Sequence, residues 1–383
     1  MRNPTLIHVT TADISLELLL GPQLRAFRDA GYRVIGASAP GPYVAGLVED
    51  GIEHVALDHA TRSMAPRRDV LALAELWRLF RRVRPDIVHT HNPKPGVYGR
   101  LAAQAARVPV VVNTVHGLYA TPDDRFAKRA IVYTLERLAA ACSDAELVQN
   151  PEDIPVLRRL RISADRLHLL GNGVDLDRFS PGPDSSAWRS SFRAELGVSE
   201  SDVVVGAVGR LVWEKGYREV FAASRQLAAT HPHVHMVVVG PTDPEKADGI
   251  STADIDAACD GTNLHVIGSR NDVERLYPAF DLYVLASYRE GFPRSAMEAA
   301  AAGLAVVATD IRGCRQVVDH DVTGLLVAPR DAPALASAVA ALADDPGRRA
   351  SMSAAAVEKA RDEFDQERVI GMTLDTYERL LSR

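Results

Sequence analysis

The chain has 383 residues, 47% of them hydrophobic and 25% charged, with a formal net charge of -6. That length exceeds what one hydrophobic core normally occupies, so two domains are expected, and the balance is that of a soluble globular protein. The negative charge and the lack of a reader motif exclude nucleic acid as a partner, and no apolar run approaches the roughly 20 residues that span a bilayer.

In chain order, residues 1–4 lead directly into a strand rather than a signal peptide. Short runs rich in β-branched residues follow at 6–9, 33–37, 53–57, 86–89, 110–115, 146–149 and 167–170, separated by helical patterns. Strands alternating with helices predict a parallel sheet with right-handed crossovers. Residues 181–186, Pro-Gly-Pro-Asp-Ser-Ser, read as a linker. A second set of strands follows at 203–208, 234–239, 264–267, 282–285, 305–308 and 325–327, again alternating with helices. Apolar residues at Val369, Ile370, Met372, Leu374, Tyr377, Leu380 and Leu381 give 366–381 the pattern of an amphipathic helix. Three scattered cysteines, Cys142, Cys259 and Cys314, support neither a disulfide framework nor a metal site and suit a reducing cytoplasm.

The segment with the most chemistry is Glu290-Gly291-Phe292-Pro293-Arg294-Ser295-Ala296-Met297-Glu298, between a buried strand and a helix. In an open parallel sheet such a loop lies at the carboxyl ends of the strands, where ligands bind. Amides at a helix start attract a diphosphate, and the flanking carboxylates suit sugar and ribose hydroxyls. An equally good reading is structural: Ser295 and Glu298 have the spacing of a capping box. A second site follows the strand at 203–208, where Arg210 and Lys215 offer a planar fork and a point charge to a diphosphate. A solvated loop is the competing reading.

These motifs carry a resemblance. The order G-R-L-x-x-x-K-G, E-G-F-P-R-S-A-M-E-A, T-D-I-R-G-C-R-Q-V-V and G-L-L-V resembles the donor domain of the retaining glycosyltransferases of family 4. The amino-terminal half agrees, with P-D-I-V-H-T-H-N ending at Asn92, V-H-G at 115–117 and G-N-G-V-D at 171–175. The resemblance covers essentially the whole chain, closest to members that extend lipid-linked precursors of surface polysaccharides. It implies an α/β fold of the GT-B type: two facing Rossmann-like domains, with the closing helix crossing back to the first. Residues 1–180 plus 366–383 would bind the acceptor and 181–365 the nucleotide sugar, expected to be a UDP-sugar.

By the same resemblance, Arg210 and Lys215 would hold the diphosphate, Gly291, Phe292, Pro293, Arg294 and Ser295 would stand near it, and Glu298 would bind the ribose. Glu290 would contact the transferred sugar, and His116, by sequence alone a turn residue before glycine, would lie beside donor sugar and phosphate. Retention without an evident nucleophile implies front-face attack, the departing diphosphate taking the acceptor proton. That scheme needs no cofactor and no metal, and His89-x-His91 alone is weak support for one. A soluble acceptor and a nucleotide-sugar epimerase of the same architecture are the alternative functions. One departure stands out: many relatives carry a glycine pair in the first strand-to-helix loop, where this chain has 10–15, Thr-Thr-Ala-Asp-Ile-Ser. Asp13 would repel a phosphate there and receives no catalytic role. Asn150 and Asn172 fit either domain closure and acceptor contact or plain turns.

Charge is unevenly divided. Residues 1–180 hold 23 Lys and Arg against 20 Asp and Glu, which leaves 21 against 30 for the rest. Arg78, Arg81 and Arg82 interleave with Trp77 and Phe80, and Arg125, Lys128, Arg129 and Arg137 fall on a second helix. A solvated face explains such runs, and so does docking on an anionic membrane by a lipid-linked acceptor's enzyme.

Overall fold

The structure, a computed structural model, describes residues 3–61, 65–91, 93–120, 124–243 and 246–383. Asn92 of the first-domain motif lies outside them. The chain divides into two units, residues 1–171 with 368–383, and residues 172–367. The division thus falls ahead of the 181–186 segment. The reason is pairing: Val174 N–H donates to the Phe364 carbonyl and Gln366 N–H to the Val174 carbonyl, and Phe179 sits in the core of the second unit.

In the first unit, strands β1 (Thr5–Ala12), β2 (Arg33–Ala39), β3 (Glu53–Ala56), β4 (Ile87–His91), β5 (Val110–Val115), β6 (Ala145–Val148) and β7 (Leu167–Leu169) form one sheet in the order β3-β2-β1-β4-β5-β6-β7. Every pairing is parallel. The central strands β4, β5 and β6 are buried throughout and consist mostly of β-branched and aliphatic residues, with His89, His91, Asn113, Thr114 and Glu146 among the polar exceptions. The order reverses between β1 and β4. The helix Gln366–Leu381 places Val369, Ile370, Tyr377 and Leu380 in the core of this unit, against Phe27 and Leu24.

The second unit has six strands, β8 (Val203–Val208), β9 (Val234–Val239), β10 (Leu264–Val266), β11 (Leu282–Leu285), β12 (Ala305–Thr309) and β13 (Gly324–Val327), in the order β10-β9-β8-β11-β12-β13 and again all parallel. Its reversal lies between β8 and β11. Each unit is therefore a doubly wound sheet with one switch point, where the loops diverge and leave a crevice.

β1 runs on to Ala12 with an irregularity after Val9, into the loop that lacks the glycine pair. Asp13 is buried there and its Oδ2 accepts from Tyr43 N–H at 2.8 Å. Its carboxylate ties β1 to the 41–43 turn, a structural task.

Candidate functional site

The chain leaves β8 at Gly209, makes a short helical turn over Trp213–Lys215, and enters the helix Tyr217–Thr230 through Gly216. Gly216 has φ 75°, and a Cβ there would stand 1.9 Å from the Ala286 carbonyl oxygen. Only glycine lets this loop press against the end of β11. That approach brings Lys215 Nζ to 2.6 Å from Glu290 Oε1, which also accepts from Ser287 Oγ at 2.8 Å. The two charges expected to serve diphosphate and sugar thus stand together at the switch point. Both are mostly enclosed, so the pair is less screened than one on the surface.

Arg210 lies apart from that pair. Its Nη1 is 2.7 Å from Asp243 Oδ2, and it is half-exposed. Lys246 stands near it, 3.0 Å from Glu214 and 3.2 Å from Asp248. Sequence reasoning missed these acidic partners, because nothing in the spacing marks which distant carboxylate a loop cation meets.

The capping-box reading is corrected. The helix Arg294–Ala301 begins one residue before Ser295, its N-cap is Pro293, and no side chain caps it. Glu298 reaches away from the helix start: its Oε2 accepts from the Tyr277 hydroxyl at 2.9 Å, and its Oε1 is 3.9 Å from Arg294 Nε. Burial raises its pKa, and the Arg294 guanidinium and Tyr277 hydroxyl act against that rise. A largely enclosed carboxylate with a single hydroxyl donor keeps acceptor capacity for a ligand's hydroxyls. Phe292 packs edge-on against Phe364, and its carbonyl accepts from Asn172 Nδ2 at 3.3 Å. Asn172 thereby steadies the loop before the helix, whereas Asn150 accepts from Glu152 N–H in a local turn. Gly313 presses on the other side of this segment, where a Cβ would stand 2.6 Å from the Glu290 carbonyl oxygen.

His116 belongs to the first unit and follows β5. Its Nε2 lies 2.9 Å from His91 Nδ1 and its Nδ1 3.1 Å from Gln149 Oε1. Burial depresses its pKa to about 4, opposed by the Gln149 contact. The ring is neutral at physiological pH. His8, His89 and His91 each bring a ring nitrogen within 4.8 Å of the other two, a spacing that could serve a cation. Both nitrogens of all three rings already have hydrogen-bond partners, so we read them as hydrogen-bonding groups.

The proposed docking face on the helix Pro66–Val83 is corrected in part: Phe80 is buried in the core, and Trp77 alone of that aromatic pair is exposed. That helix still exposes Val70 and Leu71 beside Trp77, and a second set of exposed apolar side chains lies on the helix Phe126–Ala140, where Phe126 is 77%, Ile131 59% and Leu138 58% exposed and Leu135 joins them. No helix among the described residues is long and apolar enough to cross a membrane.

Comparison with known proteins agrees with this geometry. The family model described as Glycosyltransferase Family 4 matches residues 23–178, and that for Glycosyl transferases group 1 matches 189–359. The D-inositol 3-phosphate glycosyltransferase of Xylanimonas cellulosilytica is 32% identical over 314 residues, 78% of this chain and 73% of its own. The UDP-Gal:alpha-D-GlcNAc-diphosphoundecaprenol alpha-1,3-galactosyltransferase of Escherichia coli is 28% identical over 304 residues, 78% of this chain and 76% of its own. Among solved structures, Anabaena Alr3699/HepE in complex with UDP superposes with a TM-score of 0.81 at 21% identity, over 98% of this chain and 100% of that one. That likeness speaks to the fold, which is of the GT-B type.

Proposed function

We propose, from the premise that this chain belongs to glycosyltransferase family 4, that it transfers a sugar with retention from a UDP-sugar to a lipid-linked glycan acceptor at the cytoplasmic face of a membrane. The observation that carries the reading is the Lys215–Glu290 pair at the switch point of the second unit. On donor binding, Lys215 would turn from Glu290 to the diphosphate, releasing the Glu290 carboxylate to the hydroxyls of the transferred sugar. Arg210, the amides at the start of the helix Arg294–Ala301, and Glu298 would complete the contacts to diphosphate and ribose. In the reaction the acceptor oxygen bonds to the anomeric carbon from the face the diphosphate leaves. The bond to the phosphate oxygen breaks and its electrons stay with the diphosphate, which takes the acceptor's proton. Charge develops on that leaving group, and fixed cations and amides stabilise it most where water is excluded. The nucleotide and the lipid-linked acceptor are supported by the E. coli relative, whose name specifies both. The D-inositol 3-phosphate relative supports a soluble acceptor as the second reading.

The test is donor binding followed by product analysis. UDP should raise the melting temperature of the wild type more than GDP or ADP, since a ligand of the folded state stabilises it. Lys215→Ala should abolish most of that shift and slow transfer by ~10²-fold or more. Glu298→Gln should weaken UDP with the fold intact. Unchanged UDP affinity in Lys215→Ala would remove the diphosphate assignment, and an inverted anomeric signal in the product would remove retention.

A further inference from the structure

The first unit contains one unbroken chain of hydrogen bonds that ends at His116. Thr114 Oγ1 lies 2.7 Å from His89 Nε2, and His89 Nδ1 meets the Tyr377 hydroxyl. That hydroxyl lies 3.3 Å from His8 Nε2, and His8 Nδ1 is 3.0 Å from His91 Nε2. His91 Nδ1 then meets His116 Nε2, whose Nδ1 meets the Gln149 carbonyl oxygen. Fold geometry builds this line: His8 pairs in register with His89 across β1 and β4, and His89 and His91, two apart on β4, share a face. His8, His89 and His91 are fully enclosed, and Tyr377 is packed against Phe27 and Tyr32.

A neutral imidazole has one N–H and one lone pair, and a carbonyl oxygen only accepts. The Gln149 carbonyl therefore fixes the direction of every proton in the line. His116 donates from Nδ1 to Gln149 and accepts at Nε2 from His91 Nδ1–H. His91 accepts at Nε2 from His8 Nδ1–H, which accepts from the Tyr377 hydroxyl. Tyr377 accepts from His89 Nδ1–H, and His89 accepts from Thr114. Each ring and the Tyr377 hydroxyl gives one hydrogen and receives one, and all four rings are neutral in the same tautomer. An added proton would turn a lone pair into a donor and leave two donors facing each other in a buried site.

We propose that His91, backed by His8 and by Tyr377 of the closing helix, is a positioning residue for transfer, holding His116 as the neutral Nδ1–H tautomer with its Nε2 lone pair committed. His116 then meets the substrate as a fixed neutral ring and takes no proton from the acceptor, which leaves the diphosphate as the base. The inference rests on the reading of His116 as a residue of the reaction. The tautomer itself is measurable without any turnover.

Long-range proton–nitrogen spectra of the full chain labelled with 15N-histidine supply that measurement. The expected result at pH 7.5 is four neutral rings, His116 among them, each with an unprotonated Nε2. An Nε2–H tautomer or an imidazolium at His116 overturns the proposal, as does stoichiometric zinc in the purified protein, which would make the rings ligands. The substitutions separate geometry from bulk. His91→Asn keeps an N–H where Nδ1 stands, whereas His91→Gln places its amide where Nε2 stands. Asn should hold kcat within a few-fold of wild type and Gln should lose ~10- to 100-fold, with donor KM unchanged in both, the loss expected of a displaced reacting group. Equal losses overturn the positioning role. Tyr377→Phe keeps the packing and removes the hydroxyl, and should move the His8 and His91 resonances and lower kcat several-fold. An unaltered spectrum and kcat in that variant would overturn the link to the closing helix. Full activity in His116→Ala would remove His116 from the reaction and leave the tautomer measurement standing.

Discussion

Both units are parallel sheets whose strand order reverses once, yet the groups near the two reversals differ in kind. Near β1 and β4 stand neutral imidazoles, hydroxyls and an amide bonded to one another, with the rings of His8, His89 and His91 closed off from water. Near β8 and β11 stands an ion pair, Lys215 with Glu290, on loops that water still reaches. A closed neutral network loses every hydrogen bond that a displaced group would take with it, so it fixes geometry. A partly solvated pair can exchange one partner for the charges of a ligand at modest cost. The first arrangement suits holding a residue still, and the second suits binding and release.

The sharpest way to break this contrast is to unbalance a strongly ionic cluster in the interior of the first unit. Arg100 is fully buried, with Nη1 2.6 Å from Glu146 and Nη2 2.8 Å from Glu136, and Asn113 Nδ2 donates to Glu146 at 2.7 Å. Arg100→Met leaves two buried carboxylates without their cation and should cost ~3–5 kcal/mol of stability. Adding Glu136→Gln and Glu146→Gln should recover much of it. Chemical denaturation measures both, and a loss under about 1 kcal/mol in the single variant would mean that the carboxylates are hydrated or protonated.

A second test reads the neutral network through acid. In the unfolded chain the four histidines titrate near 6.5. Burial holds His8 down to about 3 and His116 to about 4, and it puts His89 and His91 well below their usual value, with the neighbouring rings adding to it. Below about 6.5 the unfolded chain therefore binds more protons than the folded one. Stability from this source is complete above that pH and falls as the pH drops toward 4, by about 1.4 kcal/mol per unit for each ring. Denaturation should show a slope from these rings that steepens from near zero at pH 7.5 toward about four protons at pH 5.5, reduced by about one at the acid end in His91→Asn. A slope still near zero at the acid end would mean that these rings are charged or hydrated in the fold.

How much of this the sequence shows depends on how local the cause is. The strands are legible because parallel strands covered on both faces are rich in β-branched and aliphatic residues, as in 203–208 and 234–239. The loop chemistry is legible in kind: Lys215 and Glu290 each stand out at a strand end. Their pairing is not, because it depends on Gly216 pressing the first loop onto the end of β11. Glu298 has the spacing of a cap and serves none, since the helix starts earlier and Tyr277, a residue with no motif of its own, supplies the hydrogen bond. The histidine line is the extreme case. His8 and Tyr377 are 369 positions apart, and only the return of the closing helix to the first core brings them together.

The smallest expected effect concerns the surface where a lipid-linked acceptor would be met. The helix Phe126–Ala140 turns Glu136 inward to Arg100 and leaves Ile131, Leu135 and Leu138 outward at helical spacing, with Phe126 at its start. Arg125, Lys128, Arg129 and Arg137 flank them, and Asp124 just ahead of the helix is held by Lys128 at 2.5 Å. An apolar stripe edged with cations matches an anionic bilayer surface, where acyl chains receive the stripe and headgroups receive the charges. Each cation near such a surface contributes about 1 kcal/mol, roughly fivefold in binding. Vesicles containing anionic lipid should therefore bind the protein, more weakly as salt rises, with Arg129→Glu losing several-fold and Leu138→Glu somewhat more, while Arg81→Glu on the helix whose Phe80 is buried changes little. Losses confined to Arg81→Glu would move the docking surface back to that helix. Binding indifferent to salt and to all three substitutions would shift the acceptor toward a soluble one, with the donor site of the second unit unaffected.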